Sequence, residues 1–140
     1  MIRRIITVHT SLYTIVKMMA STLNAQWQNQ LFSAFALQEV LDNPVEGETP
    51  QSRLKQIGMM TVLYMMHQSH EKLTLSNIIE ITGLTRNGVK ESVEPLVARG
   101  ILRETRVKNS MGRGTARQFE FCPEVFERLK LGIDQRKPQT

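Results

Sequence analysis

Hydrophobic positions recur along this chain at three- and four-residue intervals as far as Gly100, and at two-residue intervals just after it. The first spacing predicts helices and the second predicts strands. Ile5, Leu12, Ile15, Val16 and Met19 lie near helical spacing over residues 5–20, and Leu23, Trp27, Leu31, Phe35 and Leu41 do so over 22–41, as one long helix or as two. Gln51 to His67 repeats the pattern with Leu54, Ile57, Met60, Leu63, Tyr64 and Met66. Two further helices follow closely. One starts at Ser76 and stops at Gly83; the next starts at Thr85, turns Val89, Val93, Leu96 and Val97 to one face, and stops at Gly100. Ser76 and Thr85 are the expected N-caps, because a hydroxyl oxygen accepts from the free amides of the first turn. The two glycines are the expected left-handed C-terminal caps, and Leu84 is expected to plug the corner between the helices. Pro95 removes one helical hydrogen bond, at a cost of about 3 kcal/mol in an unadapted helix, and predicts a kink or a tightened last turn.

Beyond Gly100, Ile101 to Val107 and Ala116 to Phe121 read as antiparallel strands joined by a polar tip from Lys108 to Thr115, with Phe119 and Phe121 inward. Leu73-Thr74-Leu75 alternates and predicts a short strand against that hairpin. Pro123 ends the hairpin, and Glu124 to Leu131 predicts a last short helix. The expected fold class is therefore mainly α (α+β): a winged helix-turn-helix domain over 51–132, with a two-stranded wing. A helical arm (1–42) precedes it, joined by a linker (43–50) that contains Pro44 and Pro50, and a flexible tail (133–140) follows.

Composition adds limits. Hydrophobic content of 41% and charged content of 22% are those of a globular chain. One cysteine excludes an intrachain disulfide and a multi-cysteine zinc site, and fits a reducing, cytoplasmic setting. The start Met1-Ile2-Arg3-Arg4 has the charge of an export signal, but His9, Thr10, Ser11, Thr14 and Lys17 dilute the apolar run after it. The uncharged stretch 18–38 is too polar for a membrane span.

Charge changes the picture more. From Thr85 to Arg117 there are eight basic residues against three acidic ones, a local net of +5 that equals the net charge of the whole chain. An excess gathered in one stretch is the footprint of a surface that neutralises phosphates. On the helix after Thr85, Arg86 has the fork to read guanine and Asn87 the amide to read adenine, while Thr85 and Lys90 suit phosphates. Ser76, Arg106, Lys108, Asn109, Arg113 and Arg117 complete the candidate DNA-binding set.

The run from Leu73 to Arg103, and above all the junction Leu96-Val97-Ala98-Arg99-Gly100-Ile101-Leu102-Arg103, resembles the MarR-type family of winged-helix transcriptional regulators over residues 51 to 122. The resemblance implies a homodimer that places one reading helix (85–99) per subunit in successive major grooves of double-stranded DNA, with the wing (103–119) on the backbone or minor groove. Only 18 residues follow Cys122, where the family usually has long dimer-building helices, so dimerisation is expected to fall on residues 5–41. Leu23, Trp27, Leu31 and Phe35 are the candidate dimer interface, the alternative being packing onto their own domain. At the wing, Met111-Gly112-Arg113 supplies the family's arginine without its usual aspartate. No residue is carried over for a small-molecule effector.

Other chemistry has few residues to stand on. His67 and His70 are two metal ligands without a third, so no metal and no cofactor are expected. Met59, Met60, Met65 and Met66 are core lining or an adaptable surface, and Cys122 is a buried small residue or a redox sensor. No nucleophile with its base and no phosphate-cradling glycine loop occurs, so no enzyme is expected. The reading from another class is a winged helix used as a protein-interaction or assembly module, its basic face on an acidic partner.

Overall fold

The computed structural model describes residues 26–108 and 115–135. The chain divides into two compact units, Met1–Leu31 and Phe32–Thr140. Among the described residues the protein is mainly helical with one two-stranded antiparallel sheet: α1 (26–41), α2 (Pro50–Gln68), α3 (Leu75–Thr82), α4 (Arg86–Ala98), β1 (Leu102–Lys108), β2 (Thr115–Phe121) and α5 (Pro123–Gln135). None of these helices is long and apolar enough to cross a membrane.

Helix boundaries follow side-chain caps. The Thr49 hydroxyl accepts from Ser52 N at 3.1 Å and Pro50 occupies the first turn, where its missing N–H costs nothing, so α2 starts inside the expected linker. The cap of α3 is Thr74 and not Ser76: Thr74 Oγ1 accepts from Asn77 N at 3.2 Å, and Ser76 is an exposed residue of the first turn. Thr74 stays extended because it also bridges Gln118, while Phe119 N donates to Leu73 O at 2.8 Å. The expected strand at 73–75 is thus a single bridge, and Leu75 enters the helix to bury its side chain.

Thr85 caps α4 as expected, accepting from Gly88 N at 3.0 Å. The helix runs through Pro95 to Ala98 and closes with Gly100 N on Val97 O and Ile101 N on Leu96 O, both at 3.0 Å, around Gly100 at φ +76°. This double closure, with Leu96 and Ile101 both buried, is a Schellman motif, and it lies past the turn from which Pro95 removes a donor. α2 ends the same way, Glu71 N on Met66 O and His70 N on His67 O, but there a histidine holds φ +58°. α5 continues to Gln135, beyond the predicted Leu131 and into the stretch read as tail.

In the second unit, Phe32, Met60, Leu63, Ile78, Val89, Val93, Leu96, Leu102, Phe119 and Phe121 form one core between α1, α2, α3, α4 and the hairpin. Phe32 lies flat on Tyr64, ring centroids 4.0 Å apart at 2°, and meets the edge of Phe121 at 5.7 Å. The α1 face that enters this core is Phe32, Phe35, Ala36 and Val40, a row rotated from the one expected. Trp27 and Leu41 are each 44% exposed and Leu31 is buried, while Leu23 lies outside the described residues. Phe35, read as a dimer contact or a domain contact, has Arg128 over its ring at 5.1 Å within its own chain. Leu54 and Leu84, both expected to pack, are 63% and 42% exposed. Of the four methionines, Met59, Met60 and Met66 line the core and Met65 is exposed.

The segment after α1 is tied down. Arg99, the C-cap of α4, reaches it with a nearly buried guanidinium: Nη2 donates to Glu48 Oε2 and Nη1 to Asn43 O, both at 2.7 Å, Nη1 reaches Glu39 O at 3.3 Å, and Nε donates to Gln56 Oε1 at 2.9 Å. A cation on the last carbonyls of α1 also meets the negative end of that helix.

Candidate nucleic-acid interface

The turn Gly83-Leu84-Thr85 brings the amino end of α4 to the surface, where Thr85, Arg86 and Asn87 are all exposed. Arg86 and Asn87 make no side-chain hydrogen bond or ion pair among the described residues, so their donors are free for a ligand. Gly88 makes the tight first turn possible: a Cβ there would sit 3.2 Å from Thr85 Oγ1 and 3.6 Å from Leu84 Cβ. Thr85 spends one lone pair of its hydroxyl oxygen on the cap, which leaves its O–H to donate outward.

The hairpin presents two unlike faces, fixed by its register. Leu102, Glu104 and Arg106 stand opposite Phe121, Phe119 and Arg117 on one face, and Arg103, Thr105 and Val107 opposite Glu120, Gln118 and Ala116 on the other. The first face is core at its base and ionic towards the tip. Arg106 and Arg117 are directly opposed there, an unfavourable like-charge pair by itself. Glu104, diagonal to Arg117, relieves it by accepting from Arg117 Nε at 2.5 Å and Nη2 at 3.0 Å, while the guanidinium also lies 5.6 Å from the centre of the Phe119 ring. The hydrogen bond from Arg117, opposed by burial and joined by the charges of Arg117, Arg106 and Lys90, holds the Glu104 carboxyl below the usual carboxylate range. The same hydrogen bond raises Arg117. The face that carries this ionic group is the one whose Leu102 and Phe119 enter the core with Val89 and Val93 of α4.

On the other face Arg103 pairs with Glu120 at 2.6 Å, both well exposed, a contact of small energetic weight. The basic excess read from sequence therefore separates into parts. Arg99 is a buried structural group, Arg103 and Arg117 are paired, and Arg86, Lys90, Arg106 and Lys108 have no ion pair among the described residues. Asn109 and Arg113 lie outside the described residues, and Ser76 is exposed at the start of α3. Thr85, Arg86, Asn87 and Lys90 share the first turns of α4, and the charges of Arg117, Arg106 and Lys90 all act to lower the Glu104 carboxyl. Sequence reading passed over Glu104, because its position beside Arg117 depends on a register that alternation alone does not give.

The remaining candidates stay apart from this surface. His67 stacks on Phe126 with centroids 4.9 Å apart, and His70 closes α2. Cys122 is half-buried, its N–H on Ile101 O at 2.9 Å. Among the described residues no three His, Cys, Asp or Glu side chains gather to hold a metal. Comparison with family models, with curated proteins and with solved structures finds no match to this chain.

Proposed function

We propose that this chain is a sequence-specific double-stranded DNA-binding transcriptional regulator of the MarR-like winged-helix kind, acting in the cytoplasm as a homodimer. α4 enters the major groove with Arg86 and Asn87 on base edges, and the hairpin is the wing, which follows the phosphate backbone or minor groove through Arg106 and Lys108, while Arg117 is held by Glu104. One observation carries the reading: an exposed helix end presents two base-reading side chains that are unengaged among the described residues, with Lys90 one turn on and Arg106 in the hairpin likewise without an ion pair there. Phosphate contacts set the register on the duplex and the helix end reads the sequence.

The test is selection of bound sequences from a random duplex pool, followed by anisotropy titration of the winner over a salt series. A palindrome with half-sites about ten base pairs apart is the expected result, since dimer symmetry is copied into the operator. No binding to any duplex at low salt would overturn the reading and leave the assembly-module alternative.

A further inference from the structure

We infer that Glu104 is a specificity-determining residue that suppresses binding to non-cognate DNA by standing in for a phosphate. This deepens the proposed function and rests on it. Glu104 takes two donors of Arg117 in the fork geometry that Arg offers to phosphate oxygens. It does so next to Arg106, on the hairpin face whose Leu102 and Phe119 pack with Val89 and Val93 of α4, where a backbone passing between helix and wing would lie.

Two consequences follow from that placement. Arg117 is already neutralised, so it releases no counterion when the protein lands on arbitrary DNA. The carboxylate also repels an approaching phosphate, which weakens every complex held by backbone contacts alone. A cognate complex, fixed by base contacts from Arg86 and Asn87, tolerates that repulsion better. The pair lowers non-specific affinity more than specific affinity and so widens the ratio between them.

Glu104→Gln keeps the shape and an acceptor while removing the charge. For a scrambled duplex, affinity at moderate salt should rise about three- to tenfold and the salt slope should steepen by about 0.9, the increment for one more neutralised phosphate. Cognate affinity should rise less, so the specificity ratio falls. The gain should vanish in Glu104→Gln/Arg117→Gln, and Glu104→Asp should keep the wild-type slope. Melting by circular dichroism checks that each variant folds, and Glu104→Ser is a second neutral variant should Gln fail. Wild-type binding with an unchanged slope in the folded neutral variant overturns the inference alone. Wild-type failure to bind any duplex overturns the functional reading and this inference together.

Discussion

Arg99 and Glu48 form an almost buried ion pair, Nη2 to Oε2 2.7 Å, with side chains only 7% and 12% exposed. The pair joins the end of α4 to the segment between α1 and α2, and every neighbour adds a hydrogen bond: Gln56 Nε2 donates to Glu48 Oε1 at 2.9 Å, and Val45 N to Oε2 at 3.3 Å. Removing one member leaves the other charge buried without its partner, which costs about 3–5 kcal/mol. Arg99→Ala and Glu48→Ala are each expected to lower the urea midpoint by that equivalent. A double-mutant cycle should give strongly non-additive losses, and additive ones would show that the two residues act separately.

The same carboxylate gives stability a pH dependence of known sign. Burial pushes Glu48 up, but the hydrogen bonds of Gln56 and Val45 and the charge and hydrogen bond of Arg99 outweigh it and leave the group below its ordinary value. A carboxyl lower in the folded than in the unfolded chain contributes stability fully above the unfolded value, about 4.3 for Glu, and loses it as pH falls through the folded one. Glu104 has the same sign. Urea midpoints should hold from pH 7 to about 5 and drop below about pH 4. Glu48→Gln should be less stable at neutral pH and should flatten that drop.

Phe32 is 1% exposed and holds the stack with Tyr64 and the edge of Phe121, joining α1 to α2 and β2. Phe32→Ala should cost about 3–5 kcal/mol, the usual range for emptying a buried aromatic site. Thermal melts of Phe32→Ala and Trp27→Ala side by side check this, because Trp27 is 44% exposed and its loss should cost little.

These examples mark what the sequence makes legible. The helices of the described residues, the glycine stops at Gly83 and Gly100 and the hairpin are readable, because caps and periodicity are local signals, whereas the helical spacing read over 5–20 lies outside the described residues. The core face of α1 is not, since Phe32 and Phe35 both fit a helical stripe and only the position of Tyr64 and Phe121 decides which row turns inward. In the sequence Arg99 counts with the basic surface for a like reason: its partners Glu48, Gln56 and Asn43 lie more than forty residues away. Of the candidate site, Arg86, Asn87 and Lys90 were legible from helix phase alone. Glu104 needed the pairing register, which sets it diagonal to Arg117.

Two helix positions carry backbone costs of opposite kinds. His70 holds φ +58° at the end of α2, where a left-handed side-chain residue costs about 1–2 kcal/mol. His70→Gly relieves that strain and loses part of it to unfolded-chain entropy, so a net gain of about 0.5–1 kcal/mol is expected. Gly58 sits inside α2 with nothing within 4 Å of where a Cβ would go, and Gly58→Ala should gain about 1 kcal/mol. Differential scanning calorimetry checks both, and a lower Tm in Gly58→Ala would mean that this surface is covered in solution.

The two ends of the proposed interface should fail differently when truncated. Arg86 is exposed beside Asn87 at the amino end of α4, free of any ion pair among the described residues, in position to reach a base edge. Arg86→Ala should cost about 1–3 kcal/mol on the selected duplex and little on a scrambled one, relaxing preference at a single base pair. Lys108 ends β1 next to the hairpin tip, exposed and without an ion pair among the described residues, and it suits a phosphate. Lys108→Ala should weaken both duplexes about equally and flatten the salt slope by about 0.9. Anisotropy titrations of both variants on both duplexes separate the roles. Equal losses on the two duplexes for Arg86→Ala would move it from reading bases to holding the backbone, and the sequence preference would then have to come from Asn87 or from DNA shape.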